Sequence, residues 1–163
     1  MNTNFNIKDY KHIHMIGIGG VSMSGIAEIL AHAGVKVTGS DSSDSELVQK
    51  LMHKGIPVVI GHDLINPKKA SLIVYTAAIK QNDPELVLAR SLNIPTMERA
   101  DFLGQITKHY KESICISGTH GKTTTTSMLS ICFVNEERIS FVSVEKASRI
   151  FCIPSNETFA DFI

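Results

Sequence analysis

The chain has 163 residues, of which 43% are hydrophobic and 20% are charged, and its 16 basic residues balance its 16 acidic ones. This composition is typical of an ordinary globular protein with one domain and part of a second, and it excludes a strong long-range attraction to nucleic acid or to a membrane surface. The three cysteines lack CxxC or CxxH spacing, so neither a disulfide framework nor a zinc site is indicated. The polar N-terminus has no signal-like apolar core and no segment is long enough to span a bilayer, so we expect a cytoplasmic protein.

Predicted strands and helices alternate along the chain. Short apolar runs that end in glycine or polar residues predict strands at 12–18, 35–41, 56–61, 71–78, 94–97 and 112–118. Apolar residues at helical spacing predict helices at 21–34, 43–55, 82–93, 98–110 and 122–133. We expect Ser43 or Asp44 to cap the second helix, and Asp83 to cap the third with Pro84 at its first position.

This alternation predicts an α/β fold, a parallel sheet with helices on both faces. Right-handed crossovers bring every turn that follows a strand to one edge of the sheet, which is where ligands bind. Two of these turns are rich in glycine, so the sequence predicts two anion sites.

The first glycine-rich turn, GIGGVSMSG, follows the first predicted strand. Gly17, Gly19 and Gly20 permit backbone conformations that are closed to other residues, and they let main-chain N–H groups approach an anion. The next helix adds the partial positive charge of its N-terminus, so a pyrophosphate site is predicted. Against the dinucleotide fingerprint GxGxxG, Ser22 replaces the third glycine. A tight turn with no ligand is the structural alternative.

Asp41 ends the second predicted strand, where a carboxylate commonly hydrogen-bonds a ribose hydroxyl. This position suits NAD or any nucleoside diphosphate, and the glycine turn does not distinguish them. The alternative is that Asp41 caps a helix in a serine-rich turn.

The second glycine-rich turn, SGTHGKTTTT, differs from the P-loop pattern GxxxxGK[ST] because isoleucine occupies the place of the first glycine. Gly118 and Gly121 allow close approach of the backbone, and Lys122 would reach the β- and γ-phosphates of ATP. The hydroxyl of Thr123 would bind Mg²⁺, which prefers oxygen ligands. Lys122 and Thr123 are therefore the predicted catalytic residues, and a capped helix with a solvated lysine is the alternative.

In this order, HIHMIGIGGVSMSGIAEIL, GSD, GH, YTAAIKQNDPEL and GTHGKTTTT resemble the motifs of the Mur ligase family, most closely those of its L-alanine-adding members. The resemblance runs from about His12 to Leu129. It implies ATP-dependent ligation of L-alanine to UDP-N-acetylmuramate in peptidoglycan precursor synthesis, with ATP and Mg²⁺ as cofactors. ATP would phosphorylate the muramoyl carboxylate, and the amine of L-alanine would attack the acyl phosphate to give an amide.

The same resemblance implies which residues contact each ligand. The diphosphate of the UDP-sugar would bind at the glycine turn, which comprises Gly17, Gly19, Gly20, Val21, Ser22, Met23 and Ser24. Its nucleoside side would contact Asp41, His62 and Thr76. MgATP would bind at Gly118, Thr119, His120, Gly121, Lys122, Thr123 and Thr124. Two histidines stay open: His120 either touches a phosphate or only fills the turn, and His62 is either a nucleotide ligand or an exposed loop histidine.

From these assignments we expect a Rossmann-like UDP-sugar-binding domain at 1–107 and the first strand–P-loop–helix unit of an incomplete ATPase domain at 108–133. The family pattern is lost at 134–163, so we interpret the chain as a truncated or frameshifted product that keeps substrate binding; a natural short paralogue is the alternative. Two other functions remain open. They are a non-catalytic nucleotide-sugar-binding module and an NAD-dependent oxidoreductase, and the latter leaves GTHGKTTTT without a role.

Overall fold

The computed structural model describes residues 7–108, 112–117, 119–121, 124–129, 141–144 and 148–153. The chain divides into two compact units, Met1–Gly104 and Gln105–Ile163. Among the described residues, no helix combines the length and the hydropathy that crossing a bilayer requires.

The first unit alternates strands and helices, as the sequence predicts. Its strands are β1 (His12–Ile16), β2 (Lys36–Asp41), β3 (Val58–Ile60), β4 (Leu72–Tyr75) and β5 (Thr96–Glu98). Its helices are α1 (Val21–His32), α2 (Glu46–His53), α3 (Pro84–Ser91) and α4 (Arg99–Thr107), the last of which runs across the unit boundary. Short 3₁₀ turns lie at Ile7–Asp9 and Pro67–Lys69.

The five strands form one parallel sheet in the order β3-β2-β1-β4-β5, which confirms the predicted α/β fold. In the centre of the sheet, Ile13 of β1 pairs with Val37 of β2 on one side and with Leu72 of β4 on the other. The chain builds outward from β1 in one direction and then returns to build from β4 in the other. At such a reversal the loops that follow the two central strands separate and open a crevice at the carboxyl edge.

Helices cover both faces of the sheet. On one face, Leu86 and Ala89 of α3 pack against Ile16 of β1, and every residue of β1 is buried. Right-handed crossovers place α1 and α2 on the opposite face. The inward side of α1 consists of fully buried residues: Met23, Ile26, Ala27 and Leu30. A strand that is covered on both faces needs an apolar run, which is what made β1 visible in the sequence.

The start of α2 differs from the prediction. Ser45 is its N-cap, because its side chain accepts a hydrogen bond from the N–H of Val48 at 3.3 Å. Ser43 is instead occupied with Asp41, to which both its N–H and its hydroxyl donate. The helix therefore begins later than Ser43 or Asp44 would allow, and both predicted caps are wrong.

The start of α3 agrees with the prediction. Oδ1 of Asp83 accepts a hydrogen bond from the N–H of Glu85 at 2.9 Å, and Pro84 occupies the first turn. This cap fixes the position of the loop between β4 and α3, which reaches the crevice.

The described residues of the second unit include three antiparallel strands in the order β6-β8-β7: β6 (Glu112–Ser117), β7 (Phe141–Val144) and β8 (Ser148–Ile153). The predicted strand at 112–118 coincides with β6, and residues 124–129 are helical within the predicted helix at 122–133. No strand was predicted beyond that helix, so β7 and β8 are strands that the sequence pattern did not indicate.

Candidate functional site

A cleft of about 460 Å³ opens at the carboxyl edge of the sheet in the first unit. Its walls are the glycine turn after β1, the serine-rich segment after β2, the loop after β3 and the loop that leads from β4 into α3. It lies beside the reversal of strand order between β1 and β4, which is where a parallel α/β sheet binds ligands. Among the residues that line it are these members of the predicted UDP-sugar set: Gly17, Gly19, Gly20, Asp41, His62 and Thr76.

The glycine turn is attached to β2 and shaped around Thr76. Gly17 has a φ of 77°, a left-handed conformation that favours glycine, and its N–H donates to the carbonyl of Ser40 at 2.8 Å. A β-carbon on Gly17 would lie 2.6 Å from Cγ2 of Thr76. Both the backbone conformation and this contact therefore require glycine at position 17.

A second contact joins the glycine turn to Asp41. The N–H of Gly19 donates to Oδ2 of Asp41 at 2.8 Å, while Oδ1 accepts from the N–H and the hydroxyl of Ser43 at 3.1 and 3.2 Å. A β-carbon on Gly19 would lie 2.7 Å from Cγ2 of Val48 and 2.9 Å from Oδ2 of Asp41. Asp41 thus holds two loops together and does not cap α2, and its contact with a ribose stays a prediction.

The remaining predicted diphosphate residues lie at the start of α1. Gly20 is the N-cap of α1, and as a glycine it provides no side-chain hydrogen bond to the N–H groups at this helix start. Val21, the first residue of the helix, is 68% exposed. Met23 and Ser24 are buried, and the hydroxyl of Ser24 donates to the carbonyl of Val21 at 3.0 Å. Their side chains are therefore committed to packing, and the N–H of Ser24 already donates to the carbonyl of Gly20 at 2.8 Å. The N–H groups of residues 17–20 also donate to acceptors within the protein, so any role toward an anion rests on the main-chain N–H groups of residues 21–23, which the first turn of a helix does not use internally.

One cation close to this helix start was missed by the sequence analysis. The guanidinium of Arg99 donates to Oγ of Ser22 at 3.2 Å, which brings a positive charge to the first turn of α1. Arg99 directly follows β5, another strand of the same parallel sheet. Its position after a strand end was the only signal in the sequence that could have indicated it.

Carboxylates and a histidine line another part of the cleft. Nδ1 of His62 lies 3.6 Å from Oδ2 of Asp83 and 3.6 Å from Oε1 of Glu85. His62 is half exposed, whereas Glu85 is completely buried. From the sequence, Asp83 was predicted only as a helix cap and Glu85 was not singled out, although both belong to the motif YTAAIKQNDPEL.

Glu85 also ends a chain of buried polar side chains. Nε2 of His14 lies 2.8 Å from Oε2 of Glu85, and Oγ1 of Thr38 lies 2.9 Å from both Nδ1 of His14 and Nε2 of His12. With Glu85 ionised, Nε2 of His14 donates to it, so Nδ1 accepts from the Thr38 hydroxyl, which in turn accepts from His12. Burial lowers the pKa of His12, which agrees with a neutral His12 in this row of buried hydrogen bonds. His12 and His14 therefore take part in the packing of the sheet through this buried hydrogen-bonded chain.

Two buried polar atoms that line the cleft lack hydrogen-bond partners within the described part of the chain. They are Oγ of Ser40 and Oε1 of Glu85. Buried polar atoms are usually satisfied, and one that is not indicates strain or a missing ligand. Here both atoms belong to the one cleft that also holds the glycine turn.

The predicted ATP turn is described in part. Thr119, His120 and Gly121 are exposed, and Gly121 accepts hydrogen bonds from the N–H and the hydroxyl of Thr125 at 2.9 and 3.0 Å. Thr124 is exposed at the start of the helical residues 124–129. Gly118, Lys122 and Thr123 lie outside the described residues, so the phosphate and magnesium roles of this turn stay predictions.

Comparison with known proteins decides the family. The model of the Mur ligase family, catalytic domain, matches residues 12–111, which include β1 to β5 and the whole cleft. The chain belongs to the Mur ligase family. This membership agrees with the resemblance found in the sequence, and neither the binding-module nor the oxidoreductase alternative gains support from the similarities below.

Curated Mur ligases show the similarity in detail. The chain is 57% identical over 122 residues to the UDP-N-acetylmuramate–L-alanine ligase of Acetivibrio thermocellus, a match that covers 75% of this chain and 26% of that protein. It is 55% identical over 130 residues to the enzyme of the same name from Clostridium novyi, with coverages of 80% and 28%. The chain therefore spans little more than a quarter of the length of the curated relatives it matches.

Solved Mur ligases share the fold. A UDP-N-acetylmuramate–alanine ligase from Thermotoga maritima superposes with a TM-score of 0.73 and 32% sequence identity, covering 80% of this chain and 30% of that one. The agreement extends the family assignment from sequence to three-dimensional structure.

Proposed function

We propose that this chain binds UDP-N-acetylmuramate in the cleft of its first unit, as the substrate-holding part of an ATP-dependent ligation of L-alanine to that nucleotide sugar. The observation that carries the proposal is the coincidence of the glycine turn and Asp41 in one cleft. The similarity to relatives named UDP-N-acetylmuramate–L-alanine ligases supports the choice of substrate.

The diphosphate would bind at the start of α1. The side chains of Met23 and Ser24 are buried, and the N–H groups of Gly20 and Ser24 donate within the protein, so the main-chain N–H groups of residues 21–23 are the donors for an anion. Arg99, which contacts Ser22, adds a formal positive charge nearby. An N-terminal helix dipole and a guanidinium both favour a doubly charged diphosphate over an uncharged group.

The nucleoside would extend toward Asp41, His62 and Thr76, which line the cleft. A carboxylate repels phosphate but accepts hydrogen bonds from ribose hydroxyls, so this orientation keeps like charges apart. Oδ1 of Asp41 already accepts two hydrogen bonds from Ser43, whereas Oδ2 accepts one from Gly19 and retains a further lone pair for a ligand.

The ligation itself would need the second glycine turn. Mur ligases form amide bonds with ATP and Mg²⁺, and phosphorylation converts a poorly electrophilic carboxylate into an acyl phosphate with a good leaving group. Lys122 would hold the transferred phosphate and Thr123 would hold Mg²⁺, and both roles remain expectations from the sequence. We place the junction between the UDP-sugar unit and the start of the ATP unit close to residue 107, at the end of α4.

Calorimetric titration of the 163-residue chain with UDP-N-acetylmuramate, UDP, NAD and ATP tests this proposal. We expect the two uridine ligands to bind at one site, the Asp41→Asn variant to bind more weakly, and Asp44→Asn to serve as the matched control outside the cleft. Binding of NAD without UDP would favour the oxidoreductase and overturn the proposal. A coupled ADP-release assay with UDP-N-acetylmuramate, ATP and L-alanine separates ligation from a binding-only module.

A further inference from the structure

We propose that His62, Asp83 and Glu85 form a binding site for a divalent first-row transition ion of the Zn²⁺ type. Each residue offers one ligand atom, and the three atoms lie within 4.8 Å of one another. His62 lies in the loop after β3, whereas Asp83 and Glu85 lie at the start of α3. These two segments meet at the carboxyl edge of the sheet, where all three residues line the cleft.

The distances suit a metal better than direct ion pairs. Nδ1 of His62 is 3.6 Å from Oδ2 of Asp83 and 3.6 Å from Oε1 of Glu85, which is too long for a hydrogen bond to either. Ligands at about 2.0–2.1 Å from a tetrahedral ion lie roughly 3.3–3.4 Å apart from one another. A shift of a few tenths of an ångström would bring Nδ1 of His62 to this separation from each carboxylate oxygen, and the two carboxylate oxygens already lie within 4.8 Å of each other.

An unsatisfied buried atom points to the same place. Oε1 of Glu85 has no hydrogen-bond partner within the described residues, although Glu85 is 0% exposed and lines the cleft. A fully buried carboxylate oxygen without a donor is costly, and a cation would remove that cost. This burial separates the cluster from the acidic groups of an ordinary solvated surface.

The other carboxylate atoms are already positioned by the protein. Oε2 of Glu85 is 2.8 Å from Nε2 of His14, and Oδ1 of Asp83 accepts from the N–H of Glu85. Each carboxylate therefore uses one oxygen to fix its orientation and directs the other toward His62. Metal ligands in proteins are commonly held in this way by outer hydrogen bonds.

The donor set selects the kind of ion. One imidazole nitrogen and two carboxylate oxygens match Zn²⁺ and its first-row neighbours, whereas Mg²⁺ prefers oxygen ligands in an octahedron. Three protein ligands leave one coordination position open, and His62 is 56% exposed. The site is separate from the ATP turn, but it shares His62 with the nucleoside side of the UDP-sugar proposal, and all three ligands line the same cleft.

Zinc titration of the full chain tests the site without any nucleotide. Chain treated with a chelator and then dialysed is titrated with ZnCl₂ in a calorimeter near pH 7, and Co²⁺ replaces Zn²⁺ for a visible spectrum that reports its coordination. We expect one ion per chain in this cleft. His62→Ala and Asp83→Asn should each weaken binding by about tenfold or more, at least the loss that outer-shell changes cause.

The variants are chosen so that misfolding does not explain a loss. His62 is half exposed, and asparagine at position 83 keeps a helix cap while it removes the charge. His53→Ala, at the exposed end of α2, is the matched control and should bind Zn²⁺ as the unaltered chain does. Absence of Zn²⁺ binding by the unaltered chain, or full affinity in both cleft variants, would overturn the proposal. Because no UDP-sugar is present, neither result bears on substrate binding.

Discussion

Nε2 of His14 in β1 lies 2.8 Å from Oε2 of Glu85 in α3, and both side chains are completely buried. This contact joins the central strand to a helix that covers one face of the sheet, and Glu85 also lines the cleft. On the other side of His14, Thr38 links the contact to His12. Glu85 therefore connects the wall of the cleft to a chain of buried polar side chains in the core.

Removal of the Thr38 hydroxyl should destabilise the first unit. In Thr38→Val, the buried nitrogens of His12 and His14 lose their shared partner, and we expect a loss of about 1–3 kcal/mol in the free energy of unfolding. Thr38→Ser keeps the hydroxyl and should lose clearly less. Urea unfolding followed by circular dichroism measures the stability of both variants. A valine variant as stable as the unaltered protein would show that the hydrogen bonds of Thr38 contribute nothing to stability.

The stability of the first unit should fall as the pH drops below about 6.5. Burial lowers the pKa of His12 below its ordinary value of 6.5, so the unfolded chain takes up this proton at a higher pH than the folded chain. The contribution of neutral His12 to the free energy of unfolding is complete above the pKa of the unfolded chain. It decreases as the pH falls from that pKa toward the lower pKa of the folded chain. The pKa values of Glu28, beside Lys54, and of Asp63 are also lowered, but those carboxylates titrate at more acidic pH.

Thermal melts between pH 7.5 and 5.5 measure this dependence, because that interval brackets the ordinary histidine pKa of 6.5 from which the pKa of His12 is lowered. His12→Gln should flatten the pH profile, whereas His53→Gln, at an exposed position, should leave it unchanged. An identical profile in His12→Gln would assign the effect to another group.

The sequence predicted the sheet well because the evidence for it is local. A strand such as β1 is buried on both faces and reads as an apolar run, and Asp83 with Pro84 reads as a helix start. Ser45 was missed because the expected caps were Ser43 or Asp44, and Ser43 instead donates to Asp41. That competition depends on how the loop folds and leaves no trace in spacing.

Half of the candidate site depends on distant contacts and could not be predicted. An acidic residue in a first helical turn normally faces solvent near the positive end of the dipole, so Glu85 attracts no notice in the sequence. Its burial follows from His14, which stands 71 positions earlier. Arg99 likewise gains meaning only through Ser22, 77 positions away.

Gly19→Ala should weaken UDP binding. The added β-carbon would lie 2.7 Å from Val48 and 2.9 Å from Asp41, so the carboxylate that receives the Gly19 N–H must move. Gly25→Ala is a matched control inside α1, because its β-carbon meets nothing within 4 Å and alanine favours a helix. We expect calorimetry to show about a tenfold or greater loss of UDP affinity only at position 19, equivalent to about 1.4 kcal/mol.

Arg99→Gln should distinguish the phosphate end of the ligand from its nucleoside end. The guanidinium contacts Ser22 at the start of α1, so its loss should weaken UDP binding severalfold and leave uridine binding unchanged. Arg90→Gln is the control, since Arg90 is exposed on α3 and contacts Gln81. An equal loss for UDP and uridine would show that Arg99 only supports the fold.

The hydrogen bond from Gly19 to Asp41 also bears on how quickly a ligand is captured. It fixes the glycine turn through a contact within the protein, and Gly17 and Ile18 are fixed in the same way by the carbonyl of Ser40. A preorganised loop loses little conformational entropy when a ligand arrives, and association needs no slow rearrangement. Differences in affinity among nucleotides at this cleft should therefore arise mainly from their dissociation rates.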